Sequence, residues 1–186
     1  LWIAAAYLFA GTLKGALGLG FSTSCLPILV LALGHRAAMP LVILPSIFRN
    51  LIVMRATPGF RAAARDYWSL YVAVIPGVGA GLFLLSIVDV PTSTLVLGLV
   101  MVAYVAFTLL RPKFRISNGL ARSLLVPVGV VNGTINGLTG SQVMPVVPFL
   151  LASERDQSRF LHAVNAVFTL SSVVMFFGLS QAGLFT

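Results

Sequence analysis

Charged residues are scarce in this sequence. Asp, Glu, Lys and Arg make up 9% of its 186 residues, whereas hydrophobic residues make up 59% and the mean hydropathy is +1.03. A soluble domain carries roughly 25% charged residues on average, most of them at its surface. In water, this composition would leave large apolar patches exposed, and the chain would aggregate. The composition therefore excludes a soluble globular protein and indicates a membrane protein.

Acidic residues and cysteine are too few for the common catalytic and metal sites. The four acidic residues all lie at segment ends or in loops, which argues against a carboxylate proton relay within the membrane. The single cysteine, Cys25, cannot form an internal disulfide and lacks the clustered partners that a metal site or a nucleophile needs. The apolar segments contain no paired carboxylates and no Ser/His/Asp set. We therefore expect no enzyme activity, no metal and no cofactor.

Long uncharged runs fill most of the chain. Residues 67–88 and 90–110 contain no charged side chain, and residues 123–153 are uncharged for 31 positions. About 20 apolar residues are enough for a helix to cross a bilayer. Hydrophobicity, turn residues and charges together predict eight apolar segments, at about 1–19, 22–34, 38–55, 67–88, 91–110, 120–137, 141–152 and 159–180. The sequence thus predicts an all-α, polytopic membrane protein.

The basic residues lie mainly in short connections between these segments. Residues 55–66, 111–122 and 153–159 carry nine basic residues, against one, Arg36, in the connections predicted on the opposite side. This distribution is typical of membrane topology and places the three basic loops in the cytoplasm. The net charge of +8 and a pI of about 10.9 would otherwise suggest a nucleic-acid-binding protein. Because the charge is confined largely to loops, we exclude nucleic acid as a partner.

A pattern of glycine and proline occurs twice in the chain. The stretches GTLKGALGLGFSTSCLP, from Gly11, and GVVNGTINGLTGSQVMP, from Gly129, share the spacing Gly-x3-Gly-x11-Pro. The two places also share a short apolar segment, a polar connector and a full span containing asparagine. We therefore predict a first transmembrane repeat at 1–110, a basic cytoplasmic linker at 111–122, and a second repeat at 123–186 that is truncated at the C-terminus. An odd number of crossings per repeat would make the two copies inverted.

These features resemble a known family. A glycine-rich first span, a short apolar segment opening at a proline, and a connector of small residues, all repeated, are similar to the sulfite exporter TauE/SafE family. The resemblance covers the whole chain, most clearly residues 11–50, residues 129–165 and the PGVGAG stretch at 76–81, where small residues favour close helix packing. Phe21 and Ser22 stand where the first repeat of the family usually carries glycines.

The resemblance implies a function. It implies a secondary transporter that exports small sulfur-containing anions, such as sulfite or a sulfonate, across the cytoplasmic (inner) membrane in several passes. A channel-like anion facilitator with the same fold is the alternative. The implied partners are a small anionic substrate and the lipid bilayer, and a homodimer is left open.

Two segments are too short to cross the membrane. Segments 22–34 and 141–152 would form helices roughly 20 Å long, whereas the hydrocarbon core is about 30 Å thick. Short, Gly/Pro-interrupted segments at equivalent positions of two repeats indicate a substrate site near the bilayer midplane, where helix N-termini favour an anion. We predict that the starts of the two segments approach each other there. The predicted substrate-binding residues are Lys14, Ser22, Ser24, Asn50, Asn136, Thr139, Ser141, Gln142 and Asn165.

Several side chains have a second interpretation. Lys14 is the natural cation for the anion and Arg49 the next, but each long side chain could instead extend to the membrane interface. Asn50 and Asn165 either bind the ligand or form hydrogen bonds between helices. His162 either couples protons or serves a structural role. The sequence leaves these alternatives open.

Overall fold

The computed structural model describes residues 7–12, 21–110 and 115–181, with side chains described for all of them except 21–23 and 35–36. Within these ranges the chain is helical apart from short connections, and it contains no strand. Residues 7–12 belong to α1. The helices that follow are α2 (Phe21–Leu33), α3 (His35–Ala56), α4 (Phe60–Ile87), α5 (Val90–Leu110), α6 (Asn118–Thr139), α7 (Val146–Ser153) and α8 (Gln157–Gln181). The prediction of an all-α protein is confirmed.

Two of the predicted segment boundaries are wrong. Helix α4 begins at Phe60, so most of the predicted loop 55–66 is helical, because its arginines and alanines are good helix formers. Helix α7 begins at Val146, five residues after the predicted start at 141. Helix α7 starts later than predicted because Gly140, in the left-handed conformation, caps the C-terminus of α6 and is followed by non-helical residues 141–143. The other boundaries of α2 to α8 lie within three residues of those predicted.

Four of the described helices are long and apolar enough to cross a membrane. They are α3 from Ala37, α4, α5 and α8. Helix α7, with 8 residues, is about 12 Å long and cannot cross a hydrocarbon core of about 30 Å. Helix α2, with 13 residues, is also shorter than a full span. Longer helices lie beside both short ones, since α2 packs against α3 and α7 packs against α6 and α8.

Glycines bring α4 and α6 into backbone contact. A Cβ atom added at Gly77 would lie 2.4 Å from the Val130 carbonyl oxygen, and one added at Gly133 would lie 2.5 Å from the Val74 carbonyl oxygen. One turn further along α6, a Cβ atom added at Gly137 would lie 2.4 Å from the Val78 carbonyl oxygen. Only glycine permits this approach, so the close packing that the small residues at 76–81 predict is confirmed. Helix α6 of this pair also packs against α7.

Among the four helices long enough to cross a membrane, α8 is the most buried and α5 is the least buried. Helix α8 packs against α3 and α4, and 56% of its span lies inside the protein. In α5 only 11% of the span is buried, so most of its apolar side chains face outward, as lipid-facing residues do. The α4–α5 turn is polar: the hydroxyl and N–H of Thr92 donate to the Asp89 carboxylate and lower the pKa of Asp89.

Candidate functional site

A non-helical connector, residues 140–145, joins α6 to α7. Helix α6 ends at Thr139, and its C-cap Gly140 has φ 77° and ψ −2° and donates its N–H to the Asn136 carbonyl oxygen at 2.7 Å. The Thr139 hydroxyl donates to a carbonyl oxygen one turn earlier at 2.6 Å and accepts from the Ser141 N–H at 3.1 Å. These hydrogen bonds fix the direction of the chain as it leaves α6.

The N-terminus of α7 is closed by hydrogen bonds. The Val146 N–H donates to the Asn132 side-chain oxygen at 3.2 Å, and the Val147 N–H donates to the Val143 carbonyl oxygen at 3.0 Å. Pro148 has no N–H to offer. The first three positions of α7 therefore present no free backbone donor, and the expectation that this helix N-terminus would hold the anion is wrong. Side chains must supply the donors instead.

Four side chains at the end of α6 and in the connector form what we call the polar cluster: Asn132, Asn136, Ser141 and Gln142. Each is at most 4% exposed. Among the described residues, both polar atoms of the Asn136 side chain, Nδ2 of Asn132, Oγ of Ser141 and Oε1 of Gln142 have no hydrogen-bond partner. Buried polar groups are nearly always hydrogen-bonded, since an unpaired one costs about 1–3 kcal/mol. The polar cluster thus has buried donors and acceptors that a polar ligand or water would satisfy.

Gln142 fixes the polar cluster to α8. Its Nε2 donates to Ser172 Oγ at 2.8 Å and, more weakly, to the Phe168 carbonyl oxygen at 3.4 Å. The neighbouring Ser171 is fully buried, and its hydroxyl also has no partner among the described residues. The connector, the end of α6 and the middle of α8 therefore lie together.

The connector also lies against the first short helix. A Cβ atom added at Gly140 would be 3.2 Å from Leu26 Cδ2 in α2 and 3.4 Å from Met39 Cγ in α3. Ser24 is partly buried on the first turns of α2. Lys14 and the Ser22 side chain lie outside the described residues, so their places in the site stay predictions. In the described part, α2 and the α6–α7 connector are in contact.

A comparison with protein-family models identifies the relatives of this chain. The family model described as "Sulfite exporter TauE/SafE" matches residues 3–186, which is nearly the whole chain. The chain belongs to the sulfite exporter TauE/SafE family. No curated protein and no solved structure matches it. Membership makes the chain a membrane transporter rather than a member of an enzyme family, and its family handles sulfur-containing anions.

Asn50 and Asn165 occupy the two packed helices of this TauE/SafE protein, α3 and α8, and both are fully buried. Asn50 Nδ2 donates to Ser46 Oγ at 3.5 Å, and Asn165 Nδ2 donates to the Leu161 carbonyl oxygen at 2.7 Å. Both of these bonds run along the residue's own helix. Their proposed contact with substrate stays a prediction.

The Arg49 guanidinium packs against α1. A Cβ atom added at Gly11 would lie 2.9 Å from Arg49 Nη2, so the bare backbone of Gly11 makes room for the charge. Gly11 is three residues before Lys14, and the side chain of Arg49 is partly buried. Arg49 thus connects α3 to the glycine-rich segment of the first repeat.

His162 joins the loop after α3 to α8. It is 1% exposed, its Nε2 lies 2.7 Å from the Thr57 carbonyl oxygen, and its ring meets the edge of Phe60. A histidine that fixes a loop in this way supports the structural interpretation over the proton-coupling one.

Asn132 is a site residue that sequence reasoning missed. It is absent from the predicted substrate-binding residues, but its side-chain oxygen accepts the Val146 N–H at the start of α7, and its Nδ2 has no partner among the described residues. The available signal is its spacing: Asn132 and Asn136 are four residues apart, and side chains at that spacing share one face of a helix.

Proposed function

We propose that this protein is a secondary transporter that exports a small sulfur-containing anion, such as sulfite or a sulfonate, across the cytoplasmic membrane in several passes. The observation that carries the proposal is the polar cluster. It combines almost complete burial with polar atoms that no described residue satisfies. A site of this kind at the end of a broken helix is typical of secondary transporters.

The chemistry of the polar cluster suits an oxyanion. The polar cluster offers three neutral donors: Asn132 Nδ2, Asn136 Nδ2 and the Ser141 hydroxyl. A sulfite or sulfonate group offers three acceptor oxygens to match them. The open amide oxygens of Asn136 and Gln142 would accept hydrogen bonds from water that accompanies the anion. Hydrogen bonds to a charged group are worth about 1.5–3 kcal/mol each, so a few neutral donors are sufficient for binding.

Burial of the polar cluster favours a transporter over a channel-like facilitator. An open pore would leave its lining accessible to water, but Asn132, Asn136 and Ser141 are at most 1% exposed. The site is thus closed to solvent, as expected of an occluded state in an alternating-access cycle. Trans-stimulated, saturable flux would distinguish the two classes.

Two contacts support the proposal of inverted repeats at 1–110 and 123–186 joined by a basic linker. Helices α3 and α8, which are equivalent in the two copies, pack against each other. The connector at Gly140 in the second copy touches Leu26 in α2 of the first. An axis in the membrane plane between the copies would produce both contacts.

Lys14 is proposed to supply the positive charge of the site. We expect Lys14→Gln to weaken anion affinity about ten- to a hundredfold, because it deletes one charge-assisted hydrogen bond of about 1.5–3 kcal/mol. Lys14→Arg should rescue poorly, since a planar guanidinium does not replace a compact ammonium. Affinity is measured by transport normalised to membrane-inserted protein. Near-wild-type affinity in Lys14→Gln would show that the side chain extends to the interface.

The experiment that tests the function is an uptake screen in proteoliposomes. Purified protein is reconstituted, and uptake of sulfite, thiosulfate, sulfoacetate, sulfate and small carboxylates is measured with and without the same anion inside. We expect saturable uptake of at least one of the first three anions, stimulated by anion on the opposite side. Flux that does not saturate and shows no trans-stimulation would instead establish the channel-like facilitator.

A further inference from the structure

A second polar region lies at the opposite end of α7. It is a cavity of about 820 Å³ between the first turns of α4, the first turns of α6 and the α7–α8 turn. Four arginines line it: Arg65, Arg122, Arg155 and Arg159. These residues belong to the basic loops that the charge distribution places in the cytoplasm. The cavity therefore opens on the proposed inner face.

The acidic residues of the cavity are already engaged. Arg159 forms an ion pair with Asp66, and its Nε lies 3.2 Å from Glu154 Oε2. The Tyr67 hydroxyl donates to the same Glu154 oxygen at 2.9 Å. The other oxygen of Glu154 accepts the N–H of Arg155 at 2.8 Å. No carboxylate of the cavity wall is left over to neutralise a further guanidinium.

Three arginines of the cavity are consequently available to bind an anion. Arg65, Arg122 and Arg155 are exposed and form no ion pair within the ranges that the structure describes. With four arginines and two carboxylates, the lining carries an excess positive charge. A concave surface with one sign of charge raises the local concentration of ions of the opposite sign.

The N-terminus of α6 adds a backbone contribution. Ser117, at its N-cap, makes no side-chain capping bond, and the first turn has no acidic residue. Asn118 and Arg122 from this end of α6 line the cavity. A helix N-terminus carries partial positive charge and free N–H groups, which favour an oxyanion. The arginines and the N-terminus of α6 thus both direct positive charge and hydrogen-bond donors into the same cavity.

We propose that this cavity is a second oxyanion-binding site, which loads the exported anion from the cytoplasm before it reaches the polar cluster. The inference rests on the proposed function and gives it an inner binding step. Helix α7 connects the two regions, because Val146 follows the polar cluster and Ser153 lines the cavity. The eight residues between them span about 12 Å. An anionic phospholipid headgroup would offer the same chemistry, so the test must distinguish the two sources.

The first test measures transport from each side of the membrane. In inside-out vesicles, the double variant Arg65→Gln/Arg122→Gln should raise the KM for sulfite about fivefold or more, as expected for loss of two exposed charge contacts. In right-side-out vesicles, the KM of the same variant should stay within twofold of wild type. Arg61→Gln is the matched control, because Arg61 lies one turn before Arg65 on α4 and outside the cavity lining. Unchanged KM in inside-out vesicles of the double variant would overturn the inference.

The second test measures binding without transport. Trp68 lines the cavity, so its fluorescence in a Trp2→Phe background should change as sulfite is added to the purified protein. The change should require about fivefold more sulfite in the double variant and should persist in nanodiscs of neutral lipid alone. A fluorescence response seen only with anionic lipid would assign the cavity to a phospholipid headgroup. An equal response in the wild type and the double variant would show that the cavity binds no anion. Failure of every anion in the uptake screen, with this response intact, would instead reject the export function alone.

Discussion

Asn136 is the residue whose environment is hardest to explain by folding alone. Its side chain is fully buried, and both of its polar atoms have no partner among the described residues. Leucine has the same number of side-chain heavy atoms, branched in the same way, and no hydrogen-bonding groups, so it would remove the cost of the unpaired amide. A residue retained at such a cost is expected to act in binding.

We therefore expect Asn136→Leu to keep or raise the stability of the protein while it weakens anion affinity about tenfold or more. Stability is followed by thermal unfolding in detergent, and affinity by uptake in proteoliposomes. A marked loss of thermal stability would contradict the prediction, because it would show that the amide serves the fold.

Thr139 is the matched contrast, since it lies three residues away and its hydroxyl is fully used. It donates to a helix carbonyl oxygen and accepts the Ser141 N–H. Thr139→Val should cost about 1 kcal/mol of stability and leave anion affinity within twofold. The same two assays measure it. A large loss of affinity with intact stability would show that Thr139 binds the anion, as the sequence predicts.

The elements of this fold were predictable to different degrees. The apolar runs predicted a segment at each of the helices α2 to α8, because length and hydrophobicity are set by the bilayer. The start of α7 was not predictable in this way, since it depends on the left-handed Gly140 and on the Asn132 side chain 14 residues earlier. Of the predicted site, Asn136, Ser141 and Gln142 lie in the polar cluster. The partners of a side chain come from tertiary contacts, which periodicity does not show.

The α4–α6 interface is the element on which the polar cluster depends. Gly133 lies between Asn132 and Asn136 on α6, and a Cβ atom there would meet the Val74 carbonyl oxygen at 2.5 Å and the Val78 nitrogen at 2.7 Å. Both neighbours are backbone atoms, so the helices would have to separate.

Gly133→Ala should accordingly destabilise the protein by about 1–3 kcal/mol, the usual cost of overpacking, and reduce transport with it. Gly79→Ala is the control, because a Cβ atom at Gly79 meets nothing within 4 Å. It should be neutral or stabilising by up to about 1 kcal/mol, as expected for alanine in a helix. Thermal unfolding of the two variants in the same detergent measures the difference. Equal unfolding temperatures would mean that the helices can separate at no cost.

At the scale of the whole molecule, function depends on which side each end of the site faces. The proposed cycle needs the Arg-lined cavity on the cytoplasmic side and the polar cluster between the two faces. The α4–α5 turn at 88–89 must then lie on the outer side, because α4 crosses the membrane once from its basic first turns. An odd number of crossings per repeat would place the two copies in opposite orientations, so the topology and the inverted-repeat proposal depend on each other.

Labelling of single cysteines tests this orientation. In whole cells, a membrane-impermeant maleimide should modify Val90→Cys, which is 39% exposed at the start of α5, and should leave Arg61→Cys and Arg155→Cys unmodified. In inside-out vesicles the pattern should reverse, because both arginines are exposed and lie in the basic regions that the positive-inside rule keeps in the cytoplasm. The native Cys25 is fully buried and can serve as the internal background. Labelling of Arg155→Cys from outside would reverse the sidedness of the cavity, and the protein would then load its anion from the wrong side for export.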